Sequence, residues 1–369
     1  MRKSTVAFVA LCAGAANAQY TVEILHSPLV PSGSSYGAGA GGGQQVGHTN
    51  LFLVGPSHAL MWEGSAKSLV DLHPVGWDAS YAMATDGKRQ VGWRERHTGQ
   101  AGQFATMWSG TSKSWVDLHD PSTYIETNAL GISGDMQVGV GVLPSETFRA
   151  VMWRNTAASI TSLHPEHLFR SNALATDGVQ QVGHAAVNFG SLRAALWTGT
   201  AGSYVDLHPS GYSLSQALGV AGGVQAGFAS FSGNGHAMLW RGSSETAVDL
   251  NPGPNNEWGS RAFATNGQIQ VGRARGVPVP YFHAAIWEGT AASYSSLHDY
   301  LPSDYHGSGA FSEALGIDAF GNVVGSATHV PTGATHAVLW RPVPEPSTIV
   351  IVSILTFFEI LRRRRSQRR

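Results

Sequence analysis

Six histidines, His26, His73, His119, His164, His208 and His298, recur at equivalent places in a repeated pattern, with Asn251 in the seventh place. Imidazoles ligate metals and shuttle protons, but one per unit, on units that diverge, stand too far apart to share an ion. Their expected role is to cap strand ends by hydrogen bonds. Asp71, Asp117, Asp206 and Asp249 recur two residues earlier and are expected to bond turn amides. A second set, Trp77, Tyr124, Phe169, Tyr212, Trp258 and Tyr305, puts one aromatic ring into the connection that follows in six units. Flat amphipathic rings on one face can stack on sugars, or each ring can tuck against its own unit. Polar residues that depart from the repeat lie nearby: Asp78, Glu126, Arg170, Asn256, Glu257, Asp304 and His306, and on a neighbouring connection Arg94, Glu95, Arg96 and His97. Spacing assembles no nucleophile, base and orienting group from these, and no phosphate loop, zincin helix or calcium loop is present. No catalytic residue, metal site or cofactor is therefore assigned.

The elements that position these residues are read from the repeat. Small and hydrophobic residues lead into Trp62, Trp108, Trp153, Trp197, Trp240, Trp287 and Trp340, at steps of 46, 45, 44, 43, 47 and 53 residues. Gln-Val-Gly or a relative precedes each one, at 45–47, 90–92, 137–139, 181–183, 225–227, 270–272 and 323–325. Each unit predicts four short strands. A small-residue strand meets a turn such as Asp86-Gly87 or Asn266-Gly267, Gln-Val-Gly opens the second strand, and the Trp strand is third. After a small-polar turn, a Val-Asp-Leu-His-Pro pattern makes the fourth, as at 70–74 and 205–209.

That fourth pattern follows only six of the seven tryptophans. The missing copy stands at the start of the chain, where Thr21-Val22-Glu23-Ile24-Leu25-His26-Ser27-Pro28 matches it with no Trp unit before it. A ring needs this arrangement, since the N-terminal strand can complete the last unit and remove its open edge. The expectation is an all-β, seven-bladed β-propeller over residues 19–342, its last blade completed by the N-terminal strand.

The ends carry addresses. Residues 1–18 read as a secretory signal: Arg2 and Lys3, an apolar stretch, and Ala16-Asn17-Ala18 before Gln19. The single cysteine, Cys12, falls within it, which excludes thiolate chemistry and Cys-ligated zinc from the mature chain. In residues 343–369, Pro344-Glu345-Pro346 precedes an apolar run at 349–361 and then Arg362, Arg363, Arg364 and Arg365. This tail resembles the PEP-CTERM sorting signal of Gram-negative bacteria. The resemblance implies export, transient anchoring in the inner membrane with the arginines inside, and cutting by an exosortase near Pro-Glu-Pro. The units over 20–341 also resemble the HAF repeat of exported bacterial proteins, which implies export and repetition and supplies no catalytic residues.

The whole chain has 23 Lys and Arg against 24 Asp and Glu, and 13% charged residues. Setting aside two basic residues in the leader, and six basic and two acidic residues in the tail, the body carries 15 basic and 22 acidic residues, a net of −7. Such a surface disfavours nucleic acid and other anionic polymers unless a local basic patch exists. The functional expectation is an exported, surface-sorted, non-catalytic binding or matrix protein. Its partners would be exosortase and the export machinery, and extracellular polysaccharide or a surface protein held on one loop face. The alternative is an exported propeller enzyme, a hydrolase or lyase acting on polysaccharide.

Overall fold

The computed structural model describes residues 19–27, 33–50, 56–99, 101–231, 234–253, 259–275 and 281–343. All seven sequence units fold as antiparallel four-stranded sheets, here called blades one to seven after the order of their tryptophans. In blade seven, Ser312–Ile317, Val323–His329 and Ala334–Pro342 are joined at the outer edge by Tyr20–Ile24. The Leu25 N–H continues that pairing to the Ala337 carbonyl at 2.8 Å. The fold is thus an all-β seven-bladed propeller whose last blade is completed by the N-terminal strand.

The core lies between blades. All seven repeat tryptophans are fully buried, and they insert against the preceding blade. Trp153 packs with Val91, Met107 and Leu118 of blade two, and Trp240 with Val182, Leu196 and Leu207 of blade four. Trp62 of blade one meets Val324 and Leu339 of blade seven together with Leu25, and this contact is the seam of the ring.

Gln-Val-Gly has two separate functions. In six blades the Gln side-chain oxygen accepts the amide N–H two residues beyond the Trp, at 2.6–2.8 Å, which fixes the turn after strand three. The Gly answers a bulge in strand one. The pairing slips by one residue in every blade, leaving Ala38, Met83, Leu130, Leu174, Leu218, Phe263 and Leu315 unpaired. These seven line a largely apolar cavity of about 370 Å³ bounded by the innermost strand of every blade. The same slip pushes a strand-one carbonyl over the glycine, 1.8–2.0 Å from where a Cβ would sit at Gly47, Gly92, Gly139, Gly183, Gly227, Gly272 and Gly325.

Two local features differ from expectation. In blades one to six strand four holds only two paired residues, such as Val70–Asp71, rather than the five of the sequence pattern. In four blades an aspartate turns the chain out of the ladder, as where the Asp71 carboxylate accepts the His73 N–H at 2.8 Å, and in blade three the Ser162 hydroxyl accepts the His164 N–H at 3.2 Å instead. The small-polar connection before strand four is a short 3₁₀ turn in five blades and a plain turn in blade two, and a Ser or Thr hydroxyl staples it in each of the six. The 3₁₀ turn is present at Ala66–Ser68, Ala157–Ser159, Ala201–Ser203, Ser244–Thr246 and Ala291–Ser293 among the described residues.

Val22–Arg341 is one compact unit, and a second gathers the two termini. Within the latter the Val343 N–H donates to the Gln19 carbonyl at 2.7 Å. The leader 1–18, Trp258, and the tail with Pro344, Glu345, Pro346 and Arg362 to Arg365 lie outside the described residues. Among the described residues no helix is long and apolar enough to cross a membrane.

Candidate functional site

The ring of histidines is an inter-blade clamp. Nδ1 of His26, His73, His119, His164, His208 and His298 lies 2.8–3.0 Å from a Ser or Thr hydroxyl on strand one of the next blade. That hydroxyl also accepts an alanine N–H from strand three of the histidine's own blade at 2.8–3.1 Å. Its proton therefore goes to Nδ1, and the imidazole carries its own on Nε2. Two independent observations agree. Nε2 of His73 and His208 faces the Trp77 and Tyr212 carbonyls at 3.1 Å, and at the seventh place the Ser260 hydroxyl donates to Asn251 Oδ1 at 2.7 Å. Neutral histidine is also what burial favours, and it pushes His164 down to about 4 and His298 to about 3.

Ser171→Ala should consequently cost about 2–4 kcal/mol, because it leaves the buried Ala150 N–H and His164 Nδ1 without partners. Ser171→Thr should cost less, since Thr127 does the same work one blade earlier. Urea midpoints measure both, and a Ser171→Ala midpoint equal to wild type would dismiss the clamp.

The recurring aspartates bond turn amides as expected, at His73, His119, His208 and Asn251. Their second oxygen takes a cation or imidazole from strand three or two: His58, Arg94, Arg193 or His236 at 2.7–2.8 Å. Among the described residues no group of three or more His, Cys, Asp or Glu is placed to hold a metal ion.

The loop aromatics gather where the connections from strand four to strand one meet those from strand two to strand three. Each of the five described rings docks onto its own blade. Tyr124 is buried with its ring against Gly141, and Tyr305 is buried with its hydroxyl 2.6 Å from His336 Nδ1. Phe169 packs on Phe189 and Tyr212 on Phe231, both at 4.2 Å between ring centres. Half-buried Trp77 meets Phe104 edge-on at 5.6 Å, and the Arg94 and Arg96 guanidiniums lie over its ring at 4.1 and 4.4 Å. Stacking on sugar is thus closed to Tyr124 and Tyr305 as placed, whereas Phe189 beside Phe169 is 85% exposed and Trp115 beside Trp77 is 38% exposed.

Closer to the axis, the residue two before each cavity-lining position pairs with one on strand two, and here the blades differ most. The pairs are Tyr36 with His48, Tyr81 with Trp93, Asn128 with Val140, Asn172 with His184, Gln216 with Phe228, Arg261 with Arg273, and Glu313 with Ser326. Tyr36 stacks on His48 at 4.9 Å, which meets Tyr81 edge-on at 5.0 Å, and Tyr81 stacks on Trp93 at 4.9 Å. Across the other side of the seam, Arg273 of blade six donates to Glu313 of blade seven at 2.9 Å. Burial holds the Glu313 carboxyl above the ordinary range despite that arginine. These residues were not singled out from the sequence. The signal was the one variable column, just before the repeated small residue of strand one and just after the glycine of Gln-Val-Gly.

Neither a protein-family model nor a curated protein matches the sequence. Solved structures match the fold. The β-propeller domain of the Trilobed protease from Pyrococcus furiosus superposes with a TM-score of 0.57 at 10% identity, covering 83% of this chain and 95% of that one. An oligogalacturonate lyase from Vibrio parahaemolyticus gives 0.53 at 10% identity, covering 89% and 99%. An acylaminoacyl peptidase gives 0.53 at 9% identity over 86% of this chain, which spans 54% of that protein. At such identities the likeness is one of fold.

Proposed function

We propose that this is an exported, surface-sorted, non-catalytic binding or matrix protein that holds extracellular polysaccharide on the face where the strand four-to-one and two-to-three connections meet. The observation that carries this reading is the division of labour within the repeat. The recurring His, Ser, Gln and Asp bind blade to blade or close turns, while the departures from the repeat collect on that one face. There Trp115 and Phe189 reach solvent, and Arg96 is exposed beside Trp77. The only described carboxylate held above its ordinary range, Glu313, is tied to an arginine and is not one of a pair such as glycoside hydrolysis uses. Export rests on the leader at 1–18. Sorting rests on Pro344-Glu345-Pro346 and Arg362 to Arg365, with exosortase as the partner and the inner membrane as a transient station.

A glycan array probed with the purified full chain, with the retained sugars assayed for turnover, tests the reading. Binding without turnover is expected, weakened about tenfold or more by Trp115→Ala combined with Phe189→Ala. Turnover would make the chain a polysaccharide-acting enzyme instead, and silence in both assays would reject glycan binding.

A further inference from the structure

Three arginines converge between blades five and six. Arg261 on strand one and Arg273 on strand two of blade six sit directly opposite one another, and Arg275 follows two residues along the same strand. Together with Asn234 and Gly235 of blade five, and with Phe282, they line a cleft of about 240 Å³ on the same face as the loop aromatics. Like charges directly across two strands work against the sheet, and the body around them is acidic overall. Glu313 pairs directly with Arg273 and reaches Arg261 only through its field, where burial and the neighbouring Arg273 still hold the Arg261 guanidinium below its ordinary range. Among the described residues Arg261 and Arg275 have no carboxylate partner, and ring faces hold them in place: Arg261 over Phe228 at 4.3 Å, Arg275 over Phe282 at 4.8 Å. Arg273 lies over Phe282 at 4.6 Å, and its Nε is buried without a hydrogen-bond partner. Gly235 and Gly259 keep the cleft open, because a Cβ at either would meet Phe228 or Phe282 at 3.3 Å.

Guanidinium forks set on rigid aromatic faces, three of them facing one carboxylate among the described residues, are built to grip an oxoanion. The volume is below the ~300–1,000 Å³ of pockets that enclose a drug-sized ligand, so it suits one charged group of a longer molecule. We propose that this cleft binds the anionic substituent of an acidic polysaccharide, a uronate carboxylate or a sulfate ester, through Arg261 and Arg275, with Arg273 and Glu313 fixing its wall. The inference rests on the polysaccharide reading above for the identity of the ligand. It also supplies the local basic patch without which a body of net charge −7 would repel such a polymer.

Calorimetric titration of the purified full chain with a uronate oligomer, a sulfated oligosaccharide, a neutral oligosaccharide and inorganic phosphate tests it. At least one acidic saccharide should bind, the neutral one should bind at least tenfold more weakly at this cleft, and added salt should weaken the binding. Arg275→Gln and Arg261→Gln should each lower the affinity about tenfold or more, with the melting temperature unchanged for the exposed Arg275. Acidic and neutral saccharides bound alike, and equally by both variants, would overturn the cleft but leave polysaccharide binding standing. Binding of phosphate while every saccharide is silent would overturn the proposal together with the polysaccharide reading.

Discussion

Gly139→Ala should abolish the native fold or lower its stability by more than about 4 kcal/mol, although it adds a single methyl group. The added Cβ would lie 1.8 Å from the Asn128 carbonyl oxygen and 2.9 Å from its carbon, on the adjoining strand of the same blade. No rotamer relieves that contact, because both partners are backbone. Relief means pulling strand one off strand two, and strand one also carries Thr127, whose hydroxyl bonds Ala105 and His119 of blade two. Overpacking of side chains costs about 1–3 kcal/mol; backbone against backbone exceeds this. Gly110→Ala is the control. Gly110 has a φ of 80° and nothing within 4 Å of a built Cβ, so its cost is only the left-handed backbone, about 1–2 kcal/mol. Guanidinium unfolding curves should separate the two variants clearly, and equal midpoints would refute the bulge argument.

That prediction marks where the sequence stops being legible. The glycine recurs in every Gln-Val-Gly or its relatives, so its place at the opening of strand two could be read directly. Its cause could not, because the clash depends on a one-residue slip between strands, and nothing in a string of letters records cross-strand register. The ring itself was readable for a topological reason. A lone fourth-strand pattern at 21–28 has only one place to go, and it pairs where the seventh unit lacks an edge. The histidines were legible as strand caps, but that they clamp one blade to the next depends on which hydroxyl stands opposite. Repetition could not reveal the arginine cleft either. Arg261, Arg273 and Arg275 are 12 and two residues apart in sequence, only the first two occupy the column where the blades differ, and the three become one site only when two strands pair. The loop aromatics show the opposite case: their spacing was regular, and regularity is also what ring packing against each blade produces.

The second large effect is acid unfolding. Burial holds His48, His164, His184 and His336 at about 4 and His298 at about 3. For His336 and His298 the nearby imidazoles add to burial, with His336 stacked on His26 at 3.9 Å and His298 on His283 at 3.7 Å. An unfolded chain protonates these groups near 6.5. Above that pH both states are neutral and stability is flat. Below it the unfolded chain takes up protons that the native state refuses, so stability falls as pH drops from 6.5 to about 4. Each group contributes up to about 3 kcal/mol across that window, and five together rival the ~5–15 kcal/mol total of a typical protein. Glu313, held above its ordinary range, works in the other direction, one group against five. Melting temperatures should therefore be level from pH 8 to 7 and fall steeply below 6.5, with cooperative loss of the fold before pH 4. His184→Gln should shallow the slope by about one proton, and a melting temperature unchanged between pH 7 and 4.5 would show that these imidazoles are not held neutral by the packing of the blades.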